Sequence, residues 1–139
     1  MSGLFATLVV LHVTANVVWI GSILAVAVVL AAPTAEATVR GKIGVELYGK
    51  LAMPAFVVSF VAGATRLALD LDYYFVQTKF MHGKLLLALV VIGLHHVIGG
   101  RAKKMASGKA SEPGNVLVLS VILLLSAAGA IFLVLLKPF

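Results

Sequence analysis

From residue 4 to residue 32 the chain carries no charged side chain, and from residue 116 to residue 136 it carries none again. A bilayer core about 30 Å thick is crossed by roughly 20 apolar residues of α-helix, so each stretch is long enough to span one. At that depth no water satisfies backbone N–H and C=O groups. A lone apolar run can therefore cross only as a helix, whose backbone bonds are internal. Residues 51–69 and 80–99 are less uniform but still apolar enough to join them. The pattern predicts an all-α integral membrane protein, a single four-helix bundle with spans at about 4–32, 51–69, 80–99 and 116–136. Pro33-Thr34 closes the first span. Pro54 falls in the first turn of the second, where a missing N–H costs least. The polar stretch 38–50 between them predicts an interfacial turn or a short helix. Asp70-Leu71-Asp72, with Tyr73 and Tyr74, forms the next connection, and the tyrosines suit a membrane interface. The third span is expected to end at Gly99-Gly100, and Ser111-Glu112-Pro113-Gly114 is turn chemistry.

Composition agrees. Hydrophobic residues make up 62% of the 139 residues and charged ones 12%; soluble domains run at roughly 45–50% apolar and about 25% charged. With no cysteine, disulfides, iron–sulfur clusters, thiolate haem ligation and covalent haem attachment are excluded. There is no glycine-rich phosphate loop. The net charge of +6 lies in loops, which argues for a lipid bilayer and against nucleic acid as the charged partner. Arg40, Lys42, Lys50, Arg101, Lys103, Lys104 and Lys109 all fall in the first and third connections. The positive-inside rule places these loops in the cytoplasm and both termini on the non-cytoplasmic side, as in a bacterial inner membrane. Ala35-Glu36-Ala37 looks like a signal cleavage site, but no Lys or Arg precedes the apolar run and the run is too long for a signal peptide. It reads as a retained span.

Ionisable groups in such a chain need a reason, because an intramembrane one marks a functional site by default. At 100° per residue His12, Asn16 and Trp19 share one face of the first helix. Ser59, Gly63, Arg66 and Asp70 do the same on the second. Arg66 keeps its charge and needs an anion: Asp70 locally, or a ligand carboxylate such as a haem propionate. On the third helix His82, Leu89 and His96 are heptad-spaced, with the two histidines about 21 Å apart; Lys84 and His95 share another face. Depth selects among them. His12, Arg66, His82 and Lys84 fall in the outer half, whereas His95 and His96 fall near the cytoplasmic end. Two imidazoles beside basic groups suit haem b, which takes axial histidines. Plainer readings stand beside this one. His12 can bond Asn16 or a backbone carbonyl, Lys84 can snorkel, His95 and His96 can lie among headgroups, and the loop from Arg101 to Lys109 can touch anionic lipid.

Three stretches resemble the HemJ-type protoporphyrinogen IX oxidase family, within a broader CopD-like membrane group. They are Leu11-His12-Val13 through Trp19; Leu47-Tyr48 through Met53-Pro54-Ala55 and Gly63; and Phe80-Met81-His82-Gly83-Lys84-Leu85 through His95-His96 and Gly100-Arg101. The resemblance implies a four-helix membrane protein holding haem b. It would remove six electrons from protoporphyrinogen IX and pass them to a membrane acceptor such as quinone. It implies His12 and His82 as iron ligands, with Asn16 and Trp19 beside the cofactor. Arg66 and Lys84 would then bind propionates or take part in the reaction.

Two other readings remain open. Residues 25–33 are apolar where the family carries a basic and aromatic stretch, which suits a non-catalytic membrane cytochrome or a small subunit of a larger complex. Gly21-Ser22 leans towards a CopD-like transport or structural module without haem, although Met53, Met81 and Met105 form no methionine track. A bundle of this size has little room to enclose a tetrapyrrole, so a homo-oligomer or a larger complex is expected.

Overall fold

The structure, a computed structural model, describes residues 3–137. It is all-helical across them: α1 (Gly3–Ala31), α2 (Ala37–Leu47), a π-helical turn (Tyr48–Ala52), α3 (Met53–Ala68), a second π-helical turn (Tyr73–Gln77), α4 (Phe80–Ala106) and α5 (Val116–Leu136). Four helical stretches are long and apolar enough to cross a membrane: Gly3–Ala31, Ala37–Ala68, Phe80–Ala106 and Val116–Leu136.

Two of these run past the bounds expected from sequence. The polar stretch before Leu51 is no separate interfacial turn, because α2, the π turn and α3 form one continuous helix. Pro54 explains the π turn. It has no N–H to bond the carbonyl four residues back, and the ladder opens just ahead of it, so that the N–H of Met53 reaches the carbonyl of Tyr48. Likewise α4 does not stop at Gly99-Gly100. Gly99 lies directly beneath the Tyr48 ring, where any Cβ would overlap ring atoms. Its lack of a side chain serves packing there rather than termination. The helix ends seven residues later. Gly108 adopts φ +72°, and the N–H groups of Gly108 and Lys109 cap the carbonyls of Met105 and Lys104 at 3.1 and 2.9 Å. That is the left-handed glycine cap.

Packing is closest at the end that carries the basic loops. Gly41 of α2 meets the backbone of α4 at Met105 and Ala106, and Gly44 faces Leu30 and Ala102. Arg40 donates to the carbonyl of Leu30 at 2.6 Å, satisfying an open carbonyl at the end of α1. Arg101 donates Nε and Nη2 to the carbonyl of Glu112 at 2.9 and 2.5 Å. The first and third loops are thus clamped to one end of the bundle. From there the main core rises through Leu30, Val26, Ile23 and Trp19 of α1, against Tyr48, Ile98, Met105 and Leu123. A smaller cluster of Tyr74, Phe80 and Met81 closes the opposite end. There Lys137 donates to the Tyr73 hydroxyl at 2.7 Å.

Gly41 has no room for a methyl group, because backbone rather than a mobile side chain fills the space. Gly41→Ala is expected to lower stability by about 1–3 kcal/mol, the usual cost of overpacking. Gly49, with nothing within 4 Å of a built Cβ, should accept alanine without loss. Thermal unfolding of both variants in detergent measures the difference.

Candidate functional site

The polar face of α1 serves two separate clusters. The outer one is built on His12. Its Nδ1 lies 2.8 Å from the carbonyl oxygen of Ser59 and 3.2 Å from the Ser59 hydroxyl. Because a carbonyl only accepts, Nδ1 carries the proton. Nε2 then accepts from the Asn16 amide at 3.1 Å. Gly63 lies beneath the ring, and a Cβ there would come within 2.8 Å of two ring atoms. The Ser59–Gly63–Arg66 stripe therefore works as the sequence spacing implies: small residues let α1 approach and leave a seat for the imidazole. The hydrogen bonds to Asn16 and to a carbonyl are both present, so Nε2 can bind something else only when the Asn16 amide turns away. Histidines that hold metals generally donate one ring N–H to a carbonyl or carboxylate and bind through the other nitrogen. His12 has that arrangement, with Asn16 on the ligand side.

Arg66 and Lys84 complete this cluster. Both lie near enough to His12 for their charge to be felt there, and Arg66 lies near enough to Lys84 for the same. The Arg66 guanidinium lies 4.8 Å from the Phe5 ring centre and 5.9 Å from that of Tyr74. Its Nε is buried without a hydrogen-bond partner. The expected Arg66–Asp70 pair is not formed. Asp70 lies beyond the end of α3, where its carboxylate receives the N–H of Tyr73 at 3.4 Å. Lys84 is half-buried, with no hydrogen bond or carboxylate partner among the described residues. The ion pair found among those residues is Lys50–Glu46, an exposed pair one turn apart. Among the described residues no anion balances these two basic side chains.

His82 lies on another face. It precedes Lys84 by two residues, which turns it about 200° around the helix. It is exposed, with Nδ1 3.2 Å from the carbonyl of Lys79 and its ring edge-on to Phe75 at 5.4 Å. Among the described residues no group of three or more His, Cys, Asp or Glu converges as a metal site. Of the residues proposed from sequence, His12, Asn16, Arg66 and Lys84 come together, and His82 and Trp19 do not join them.

Trp19 belongs to a second cluster, which the sequence reading missed. Its indole Nε1 donates to Nδ1 of His95 at 3.0 Å. His95 is fully buried, stacked on Tyr48 with ring centres 4.8 Å apart and tilted against Phe56 at 5.2 Å. With Nδ1 accepting, Nε2 carries the proton and points at the Met53 sulfur, 3.3 Å away. This is the opposite tautomer to His12, and it leaves no lone pair free to bind a metal. His95 is a structural group. Beside it the exposed His96 shares a hydrogen bond with the Tyr48 hydroxyl at 3.1 Å. One signal pointed here: Trp19 and His95 each stand about three turns before the ends of α1 and α4. Ending α4 at Gly99-Gly100 hid that match, because it put His95 at the helix terminus.

Comparison with known proteins found no matching family model, no matching curated sequence and no matching solved structure.

Trp19→Phe keeps the aromatic bulk but leaves His95 Nδ1 buried without a donor. The expected cost is about 1–3 kcal/mol, the penalty for one unsatisfied buried polar group. Denaturant unfolding in detergent against wild type reads it directly.

Proposed function

We propose that this chain is a b-type haem-binding membrane redox protein, with His12 as an iron ligand and with Arg66 and Lys84 neutralising the propionates. One observation carries the reading: a histidine whose Nδ1–H is held by a backbone carbonyl stands beside two basic side chains that have no counter-anion among the described residues. Burying uncompensated charge in a bundle is costly, and a ligand bearing two carboxylates removes that cost. The buried, partnerless Nε of Arg66 and the seat that Gly63 leaves for the His12 ring fit such a group. His82 faces away, so the residues present fit a haem held by one histidine of this chain.

When bound, the haem would supply one-electron chemistry. The chain's own residues do the rest. The Ser59 carbonyl orients the imidazole, Asn16 sets the approach to Nε2, and Arg66 and Lys84 hold the carboxylates against the apolar surroundings. The wider reading follows the resemblance to HemJ-type proteins: oxidation of protoporphyrinogen IX in a bacterial inner membrane, with electrons passed to a membrane acceptor such as quinone and with the basic loops on the cytoplasmic side. The site then lies nearer the non-cytoplasmic face. Arg66 and Lys84 also suit the carboxylates of the porphyrinogen itself.

The visible spectrum of protein purified in detergent from haem-replete cells tests this. Wild type should show a Soret band, and His12→Ala should lose it. Gly63→Ala should weaken it by displacing the ring. Charge-assisted hydrogen bonds contribute about 1.5–3 kcal/mol each, so Arg66→Gln and Lys84→Gln should each lower haem affinity roughly tenfold or more. A wild-type protein without a Soret band would falsify haem binding. A Soret band without rescue of an oxidase-deficient strain would leave a membrane cytochrome and remove the enzyme.

A further inference from the structure

We propose that the groove between the end of α4 and the start of α5 binds one anionic phospholipid, with its phosphate between Arg101 and Lys104 and an acyl chain along Val97 and Leu119. The groove has a volume of about 400 Å³, within the range of about 300–1,000 Å³ usual for small-molecule sites. Val97, Gly100, Arg101 and Lys104 form its α4 wall, and Val116 and Leu119 its α5 wall. On α4 these positions fall at i, i+3, i+4 and i+7, and on α5 at i and i+3, so each wall is a single helix face. Nothing lies within 4 Å of a Cβ built at Gly100, which keeps the groove open.

Polarity changes along the groove with depth. Lys104 stands about 10 Å nearer the end of α4 than Val97 does. The two charges therefore lie at the mouth, at the end of the bundle that carries the basic loops. Deeper in, both walls are apolar. A ligand that matches both halves has an anionic head and a hydrocarbon tail, and it arrives at the edge of a bilayer. Basic pockets between membrane helices bind lipid headgroups in this way.

The charge at the mouth is unspent. Arg101 bonds the backbone carbonyl of Glu112 through Nε and Nη2. That acceptor is neutral, so it fixes the guanidinium without cancelling its charge. The Lys104 ammonium is exposed, with no carboxylate partner among the described residues, and the Glu112 carboxylate pairs with neither of them. A second groove, of about 320 Å³ between α1 and α3, shows the contrast. The basic residue on it, Lys50, is paired with Glu46, which leaves an apolar surface without spare charge. Basic side chains that only snorkel to the interface would require neither an open cleft beside them nor a fixed guanidinium. The site uses none of the residues assigned to haem. It requires that the helices cross a bilayer, as their length and apolarity allow.

Binding of a fluorescent short-chain phosphatidylglycerol to detergent-purified protein, at about 0.15 M ionic strength, reads the site. Charges more than about 8 Å apart are screened under that condition. Unlabelled phosphatidylglycerol should displace the probe, and phosphatidylcholine at the same concentration should not. Lys104→Gln should weaken binding about fivefold, the equivalent of about 1 kcal/mol for one basic residue. Gly100→Leu keeps every charge but fills the groove, and should abolish the preference for phosphatidylglycerol. Lys109→Gln removes the same charge from an exposed position outside the groove and should leave binding nearly unchanged. Thermal unfolding without lipid should be the same in all three variants, because two positions are exposed and the third is open. Four outcomes overturn the proposal: equal competition by phosphatidylcholine, equal weakening by Lys104→Gln and Lys109→Gln, undiminished preference in Gly100→Leu, or displacement of the probe by inorganic phosphate at constant ionic strength, which would mark a free-anion site.

Discussion

In the middle of this bundle a buried indole N–H donates to a fully buried imidazole, and the arrangement of the helices follows from that bond. Trp19 belongs to α1 and His95 to α4, 76 residues apart. Once joined, they bring Tyr48 and Phe56 onto the imidazole faces and so draw in the long second span. Neither polar group is affordable alone at this depth, because an unmet donor or acceptor costs more than a made hydrogen bond returns. Pairing removes that penalty and makes the register specific. A slide of one turn along either helix would expose both groups at once. Gly99 belongs to the same constraint, since the Tyr48 ring can reach the imidazole only over a residue without a side chain.

The outer cluster obeys the opposite economy. His12 is satisfied by Ser59 and Asn16, but Arg66 and Lys84 are left without an anion among the described residues, inside helices long and apolar enough to span a membrane. Cation–π contacts with Phe5 and Tyr74 soften the charge of Arg66 without cancelling it. The two clusters therefore differ in how fully their polar groups are met. Two histidines that look alike in the sequence are told apart by the tautomer their neighbours impose: His12 holds its proton on Nδ1 and accepts at Nε2 from Asn16, and His95 accepts at Nδ1 and directs Nε2–H at a sulfur.

The length and purity of the apolar runs made the four spans legible, and the helical phase of His12 and Asn16 made their partnership legible. Both are local properties, set by a rise of about 1.5 Å and a turn of about 100° per residue. The helix ends were less legible. A glycine pair reads as a stop, yet at Gly99-Gly100 it serves another helix, and only Gly108 takes the left-handed conformation that ends α4. The grouping of His82 with Lys84 relied on depth alone, although their separation by two residues already places them on different faces. The Arg66–Asp70 pair looked sound by spacing. It failed because α3 ends between the two residues and the carboxylate serves the next turn instead.

The sequence by itself determined that this chain forms four helices long and apolar enough to cross a membrane, with its basic loops at one end, because hydropathy and charge are properties of each segment independently. It also determined which few polar residues would need partners. Only the tertiary structure decided who those partners are. Trp19 went to His95 rather than to the outer cluster, Tyr48 went over Gly99, and Arg66 was left to two aromatic rings. The reason is that a buried polar group takes whatever donor or acceptor the facing helix presents at its depth, and that meeting is fixed by how whole helices pack, not by either helix's own spacing.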